Sequence, residues 1–217
     1  IVEQTKLGAA GTGPCKMVAF SRPRIGLPGG ALRPSVQPTP KGAVVTWTDD
    51  HEQPGKDHAY SVLIDSSGRT LTPIRDLTPE AGLVSKATIV GTDDRVALLF
   101  WDSKGREAGV RVRWLDAEGR IAGPSNLVAG ARAGTFWPSI ARGPQGYFIV
   151  WQDDRDKDND DLFIRRLGKD LEMIGLETRL TDYAPTKGHS VNVRLASAAV
   201  AANAVFVTYR LECDKEK

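Results

Sequence analysis

Three aspartates close apolar runs that carry a tryptophan: Asp49 follows AVVTWT, Asp102 follows VALLFW and Asp153 follows FIVWQ. Two carboxyl groups held a few ångström apart, one protonated and one ionised, are what cleavage of a glycosidic bond requires. Three equivalent aspartates converging on one rim would supply them. The competing reading is that each aspartate caps its own loop, because a residue repeated with a structural unit usually serves that unit, and this reading is preferred. The densest acidic stretch is DDRDKDNDD, Asp153 to Asp161, with six aspartates in nine positions. It starts like an EF-hand loop, but the later glycine and distal glutamate are missing, since Leu162 to Arg166 follow at once. A simpler oxygen-ligand calcium site built from Asp156, Asp158 and Asp160 remains, and calcium is the one cofactor the sequence suggests; the alternative is a solvated turn.

Other reactive side chains are sparse. His51 and His58 share one inter-strand loop and could form a transition-metal pair, or stand solvated; His189 lies elsewhere. No G-x-S-x-G, H-E-x-x-H or phosphate-binding glycine loop occurs. Arg111 and Arg113, with Arg165 and Arg166 of the next repeat, would make a basic stripe if their strands face outward. The stripe lacks interleaved aromatics, so nucleic acid is excluded as a partner. The 29 basic and 27 acidic residues leave a net charge of +2, which gives no global pull toward nucleic acid or anionic lipid. No apolar run approaches the roughly 20 residues of a membrane span, so membrane insertion is not expected.

These residues are positioned by a repeat. RPSVQPTPKGAVVTWTDD, ending at Asp50, aligns with WPSIARGPQGYFIVWQDD, ending at Asp154, pairing Pro34 with Pro138, Pro40 with Pro144, Gly42 with Gly146 and Trp47 with Trp151. A further copy surrounds Trp101, and a weaker one places Tyr209 at the tryptophan position, so that the anchors stand 50 to 58 residues apart. After each anchor come a polar loop, an apolar strand, a tight turn and a short strand. Val110, Val112 and Trp114 alternate with Arg111 and Arg113 at the period of a strand, and Gly119 and Gly68 sit where the following turns need a positive φ. No long stretch has helical periodicity. A repeat of about 40 to 50 residues with four short antiparallel strands is the size of a propeller blade. The expectation is an all-β single domain, a small β-propeller of about four blades. Its repeats cover roughly 34–85, 86–137 and 138–189, with 190–217 completed by 1–33. The tryptophans are expected to be buried anchors, because their runs are continuously apolar.

The third repeat, VWQDDRDKDNDDLFIRRLGKDLEMIGLETRLTDY, resembles the W-x-D-x-R repeat of TolB-like propellers of secreted and periplasmic bacterial proteins. Trp151, Asp153, Arg155, Asp161, Leu162, Phe163, Leu180 and Thr181 occupy its positions. The first repeat keeps Trp47, Asp49, Asp57, Tyr60, Leu77 and Thr78, with His51 replacing the arginine. The resemblance implies that Arg155 clamps Asp161 across the hairpin mouth. It also implies an extracellular or periplasmic, non-catalytic binding or assembly module for a protein or glycan partner. Two alternatives stand beside it. One is a glycan-active hydrolase of sialidase-like propeller type with Asp49, Asp102 or Asp153 as acid and base, suggested by the faint Asp-box likeness of IDSSGRTLT; the other is a fragment of a larger ring completed by a second chain.

The chain begins IVEQTKLG, without an initiator Met or the pattern of a signal peptide, as expected of a processing boundary. Cys15 and Cys213 could be free thiols or one disulfide. The final repeat stops after its second strand, and the run from Lys16 to Phe20 could supply a missing one, so the two ends are expected to share one blade that brings Cys15 beside Cys213 and is locked by a disulfide between them.

Overall fold

A computed structural model of the chain describes residues 31–50, 54–92, 94–105, 108–130, 136–155, 160–183, 189–202 and 204–215. Three four-stranded antiparallel sheets follow one another in the sequence. The first holds β1 (Leu32–Thr39), β2 (Gly42–Asp49), β3 (His58–Ile64) and β4 (Arg75–Asp76) in that order. The second holds β5 (Val84–Gly91), β6 (Arg95–Asp102), β7 (Gly109–Asp116) and β8 (Asn126–Gly130). The third holds β9 (Phe136–Gly143), β10 (Gly146–Asp153), β11 (Asp161–Leu167) and β12 (Met173–Arg179). A hairpin of β13 (His189–Ala201) and β14 (Ala204–Lys215) begins a fourth sheet. No α-helix occurs among the described residues. The all-β propeller expectation is met: β1 touches β5, β5 touches β9 and β9 touches β13, so the first strand of every sheet faces a common axis and the other strands radiate from it.

Burial follows that geometry. The second strands lie between neighbouring sheets and are covered on both faces, which is why their sequences are apolar without alternation. Ile149, Val150 and Trp151 are fully buried, whereas the outermost β12 is exposed along most of its length. Core clusters sit between sheets: Val44, Leu63 and Leu77 meet Leu98 and Phe100, and Leu99 and Val112 meet Ile149 and Trp151. The smaller set Val150, Leu162 and Val193 joins the third sheet to the hairpin. Trp47 stacks on Tyr60 and Trp151 on Phe163, both at 6.1 Å between ring centroids. Trp47 and Trp151 are thus buried anchors as expected; Trp101 is half-buried and Tyr209 exposed, its hydroxyl 2.7 Å from that of Tyr183.

The repeated glycines have a geometric reason. Gly42 and Gly146 open their second strands at φ +143° and +136°, and a Cβ on either would lie 2.2 or 2.1 Å from the carbonyl oxygen of Ile64 or Leu167. Gly68 and Gly119 turn the chain at φ +81° and +75° as anticipated, helped by Asp65 and Asp116, whose carboxylates accept backbone N–H bonds across the same turns.

The basic stripe does not form. Arg113 is buried, donating to the Leu77 carbonyl at 2.6 Å and pairing with Glu80 at 2.8 Å, while Arg111 pairs with Asp102 at 3.3 Å. Arg165 donates to the Val128 carbonyl at 2.5 Å. The sheets pack face to face around the axis, so side chains that would point outward in an isolated sheet point into the next one. Cys15 and the side chain of Cys213 lie outside the described residues, and so does the expected disulfide; within β13 and β14, Cys213 is aligned with Val191.

Candidate active site at the mouth of the axis

Each innermost strand is broken by a bulge, near its start in the first three sheets and midway along β13. The pairing of β1 with β2 shifts between Leu32 and Ser35, and that of β5 with β6 between Ser85 and Thr88. In the third sheet the shift lies opposite Phe136 to Ser139, and in the fourth between Arg194 and Ser197. In every bulge one non-glycine residue is left-handed: Arg33 at φ 56°, Lys86 at 58°, Trp137 at 52° and Leu195 at 55°. Such a conformation costs of order 1–3 kcal/mol and is characteristic of functional positions; a bulge also re-aims the side chain it carries. All four aim into one cavity of about 290 Å³ at the end of the axis. Each is followed by Pro or Ala and then Ser or Thr. The hydroxyls tie the strands together: Ser35 Oγ accepts from Ile89 N at 3.3 Å and Ser139 Oγ from Ala198 N at 3.2 Å.

The mouth is cationic. The Arg33 guanidinium lies 4.7 Å from the centroid of the Trp137 ring, and the Lys86 ammonium lies directly over the same ring. Burial, with Arg33 beside it, pushes the Lys86 ammonium down to about 8. None of the residues lining the cavity is a carboxylate. The acids of this end of the molecule stand in the loops between second and third strands. Burial raises the pKa of Asp57, and the negative charges of Asp50 and Asp49 raise it further, against the opposing charges of Arg33 and His58. In the third sheet, burial likewise raises Asp160, which pairs with Arg194 at 2.6 Å, and Asp154, which is pushed up further by Asp153.

The aspartates singled out in the sequence are distributed differently. Asp153 accepts from Arg155 N at 2.9 Å, pairs with the Arg155 guanidinium at 2.5 Å and faces Trp151 Nε1 at 3.4 Å. Asp102 accepts from Gly82 N and Lys104 N at 2.9 and 3.0 Å while pairing with Arg111. Asp49 is wholly buried. Loop capping therefore consumes Asp102 and Asp153, and the three do not converge on a substrate-accessible rim. Arg155 clamps Asp153 and Glu177, not Asp161; Asp161 is held by Arg179 and by Thr181 Oγ1 at 2.7 Å. The reason lies in the outer strand, where Glu177 and Arg179, two positions apart in β12, complete the two pairs separately.

Asp156 and Asp158 lie outside the described residues, as does His51. Asp160 is committed to Arg194, and His58 to Asp76 at 2.8 Å. Among the described residues no group of three or more His, Cys, Asp or Glu could hold a metal ion. The four bulge residues escaped the sequence reading. Their signal is the recurrent Pro/Ala–Ser/Thr pair, visible as RPS and WPS but blurred in KAT and LAS.

No protein-family model matches this sequence, and no curated protein matches it significantly. Its fold is that of solved glycoside hydrolases. The chain is similar to an α-L-arabinofuranosidase from Lactobacillus brevis at a TM-score of 0.58 and 10% identity, over 85% of this chain and 66% of that one. It is similar to an α-L-arabinanase from Penicillium chrysogenum, solved with arabinobiose, at 0.59 and 14% identity, over 88% of this chain and 60% of that one. A thermostable family-43 glycoside hydrolase gives 0.52 and 13%, over 83% and 65%. The chain thus spans less than two thirds of the length of each.

These likenesses overturn the TolB-like resemblance, and with it the two expectations drawn from it, a non-catalytic binding or assembly module and the absence of enzyme activity. The motif misled for a physical reason. A tryptophan packed between sheets and an aspartate capping the loop after it serve the hairpin itself, as the equivalent caps at Asp102 and Asp153 do, so W-x-D-x-R reports the blade and not the family.

Proposed function

We propose that the protein is a glycan-active hydrolase of the propeller type, which binds its substrate on the face where the innermost strands begin. The observation that carries this reading is the carboxyl pair beside the mouth. Asp57 is pushed toward its protonated form by burial and then by the negative charges of Asp50 and Asp49, and a carboxyl held toward its neutral form is suited to giving a proton. Asp57 is assigned as general acid and Asp50 as base. In hydrolysis the glycosidic C–O bond breaks as Asp57 gives its proton to the leaving oxygen. Water adds its oxygen to the anomeric carbon and its proton passes to the Asp50 carboxylate. The charge of Arg33 reaches Asp57 through its field and partly opposes the rise in its pKa. The shared fold with an arabinofuranosidase and an arabinanase supports a glycan substrate, and an extracellular or periplasmic place of action fits it.

The test is release of reducing ends from a panel of arabinan, xylan and uronate-containing oligosaccharides. General acid–base catalysis contributes about 10²–10⁴-fold, so Asp57→Asn and Asp50→Asn should each lose activity in that range. Full activity in both variants, or no turnover of any glycan by the wild-type protein, refutes the assignment.

A further inference from the structure

We propose that the cavity at the mouth of the axis binds the carboxylate of an acidic sugar, with Arg33 and Lys86 as its ligands and Trp137 as the residue that positions them. This names the substrate class of the site proposed above and rests on that reading for the sugar; the anion preference rests on the cavity itself.

Several arginines elsewhere are neutralised by carboxylates: Arg113 by Glu80, Arg155 by Asp153 and Glu177, Arg179 by Asp161, Arg194 by Asp160. At the mouth two cations approach one indole ring, and among the described residues neither has a carboxylate within ion-pair distance. Asp57 acts on Arg33 only through its field. Holding two like charges together costs free energy, and the protein adds to that cost by placing both on left-handed backbone in bulges. An anion delivered between them would remove the repulsion. A guanidinium fork beside a compact ammonium suits a carboxylate, one oxygen to each. The rest of the lining is uncharged, apolar at Pro34, Ala87, Pro138, Leu195 and Ala196 and hydroxylic at Ser35 and Thr88, which suits the ring and hydroxyls of a sugar and not a second charge. The indole holds the cations through its electron-rich face. The depressed pKa of Lys86 is what a cation held beside another cation and away from water should have.

The experiment uses the full chain carrying Asp57→Asn, so that turnover does not deplete the probe, and measures binding by calorimetry. The probes are an oligogalacturonate, the same oligomer with its carboxylates methyl-esterified, and a sulfated neutral oligosaccharide. At pH 7 the acid should bind at least tenfold more tightly than the ester. Between pH 7 and pH 9 its affinity should fall about tenfold, because a group titrating at about 8 goes from roughly nine-tenths to one-tenth charged. Lys86→Arg should bind at pH 7 and lose that pH dependence, whereas Lys86→Gln should bind at pH 7 as weakly as the parent does at pH 9. Arg33→Gln should cost about tenfold at pH 7 and less at pH 9, because without Arg33 beside it Lys86 keeps its proton to higher pH, with thermal melts confirming that each variant is folded. Equal affinity for acid and ester, no binding of either, tighter binding of the sulfated probe, or a pH dependence that survives Lys86→Arg overturns the proposal. Acid-over-ester selectivity in a wild-type protein that hydrolyses nothing would sink the hydrolase reading alone; hydrolysis of neutral glycans without that selectivity would sink this inference alone.

Discussion

Trp151 and Trp137 lie 14 positions apart in one sheet and are predicted to fail in opposite ways when removed. Trp151 is fully buried, stacks on Phe163 and packs against Leu99 and Val112 of the preceding sheet. Trp151→Ala empties the contact between two blades, and a cavity of that kind costs about 3–5 kcal/mol. For a chain of 217 residues each kcal/mol lowers the melting temperature by roughly 2–4 °C, so the loss should be about 6–20 °C. Trp137 is half-buried at the mouth, left-handed at φ 52°. Trp137→Gly removes about 1–2 kcal/mol of backbone strain and adds about 0.5–1 kcal/mol of glycine entropy. The forfeited indole contacts offset the remainder, leaving stability within about 1 kcal/mol of wild type. Its effect should appear in ligand binding, since Arg33 and Lys86 lose the ring that holds them. Thermal melts with oligogalacturonate titrations on the two variants decide the matter. Trp137→Gly melting as low as Trp151→Ala, or Trp151→Ala melting like wild type, would refute the division into anchor and site.

Gly146→Ala should cost about 3 kcal/mol or more, because its Cβ would lie 2.1 Å from the Leu167 carbonyl at φ +136°; Gly55→Ala, at φ +79° with nothing within 4 Å, should cost only about 1 kcal/mol, and urea unfolding compares them. Arg113→Ala should cost about 2–3 kcal/mol by stranding the Leu77 carbonyl between the first two sheets, read in the same assay. Asp57→Asn should raise the melting temperature at pH 7. The folded-state pKa of Asp57 lies above its ordinary value of 3.8, so its contribution is fully present below that value and is lost as pH rises through the folded pKa. A melt series should show the variant's advantage at neutral pH and none below pH 3.8; a variant less stable than wild type at pH 7 counts against Asp57 as a strained acid.

The repeat made the scaffold readable and the same repeat hid the site. Trp47, Trp151, Gly42, Gly146, Thr78 and Thr181 recur because every blade needs a filled interface, a close backbone approach and a closed hairpin. Thr78 Oγ1 accepts from Ala59 N at 3.0 Å and Thr181 Oγ1 from Leu162 N at 2.9 Å, the same bond made twice. Recurrence of a residue is therefore a sign of mechanical duty, and Asp102 and Asp153, which recur, are indeed caps. A site on the axis obeys the opposite rule. The backbone device that builds it recurs, a left-handed bulge four times over, while the side chains it presents must differ if they are to grip an asymmetric ligand. Arg33, Lys86, Trp137 and Leu195 share a φ near 55° but no side-chain chemistry. Their own residue types carry no periodicity, and only the Pro/Ala–Ser/Thr pair that follows each marks the shared conformation. Asp57 escaped for a related reason: its raised pKa comes from burial and from the charges of Asp50 and Asp49 in one loop of one blade, which no motif encodes. In a propeller the residues that vary at a conformationally repeated position are thus the ones to substitute first. Exchanging Leu195 for Lys, which would add a third cation to the mouth, is the direct way to alter what the cavity accepts without touching the blades.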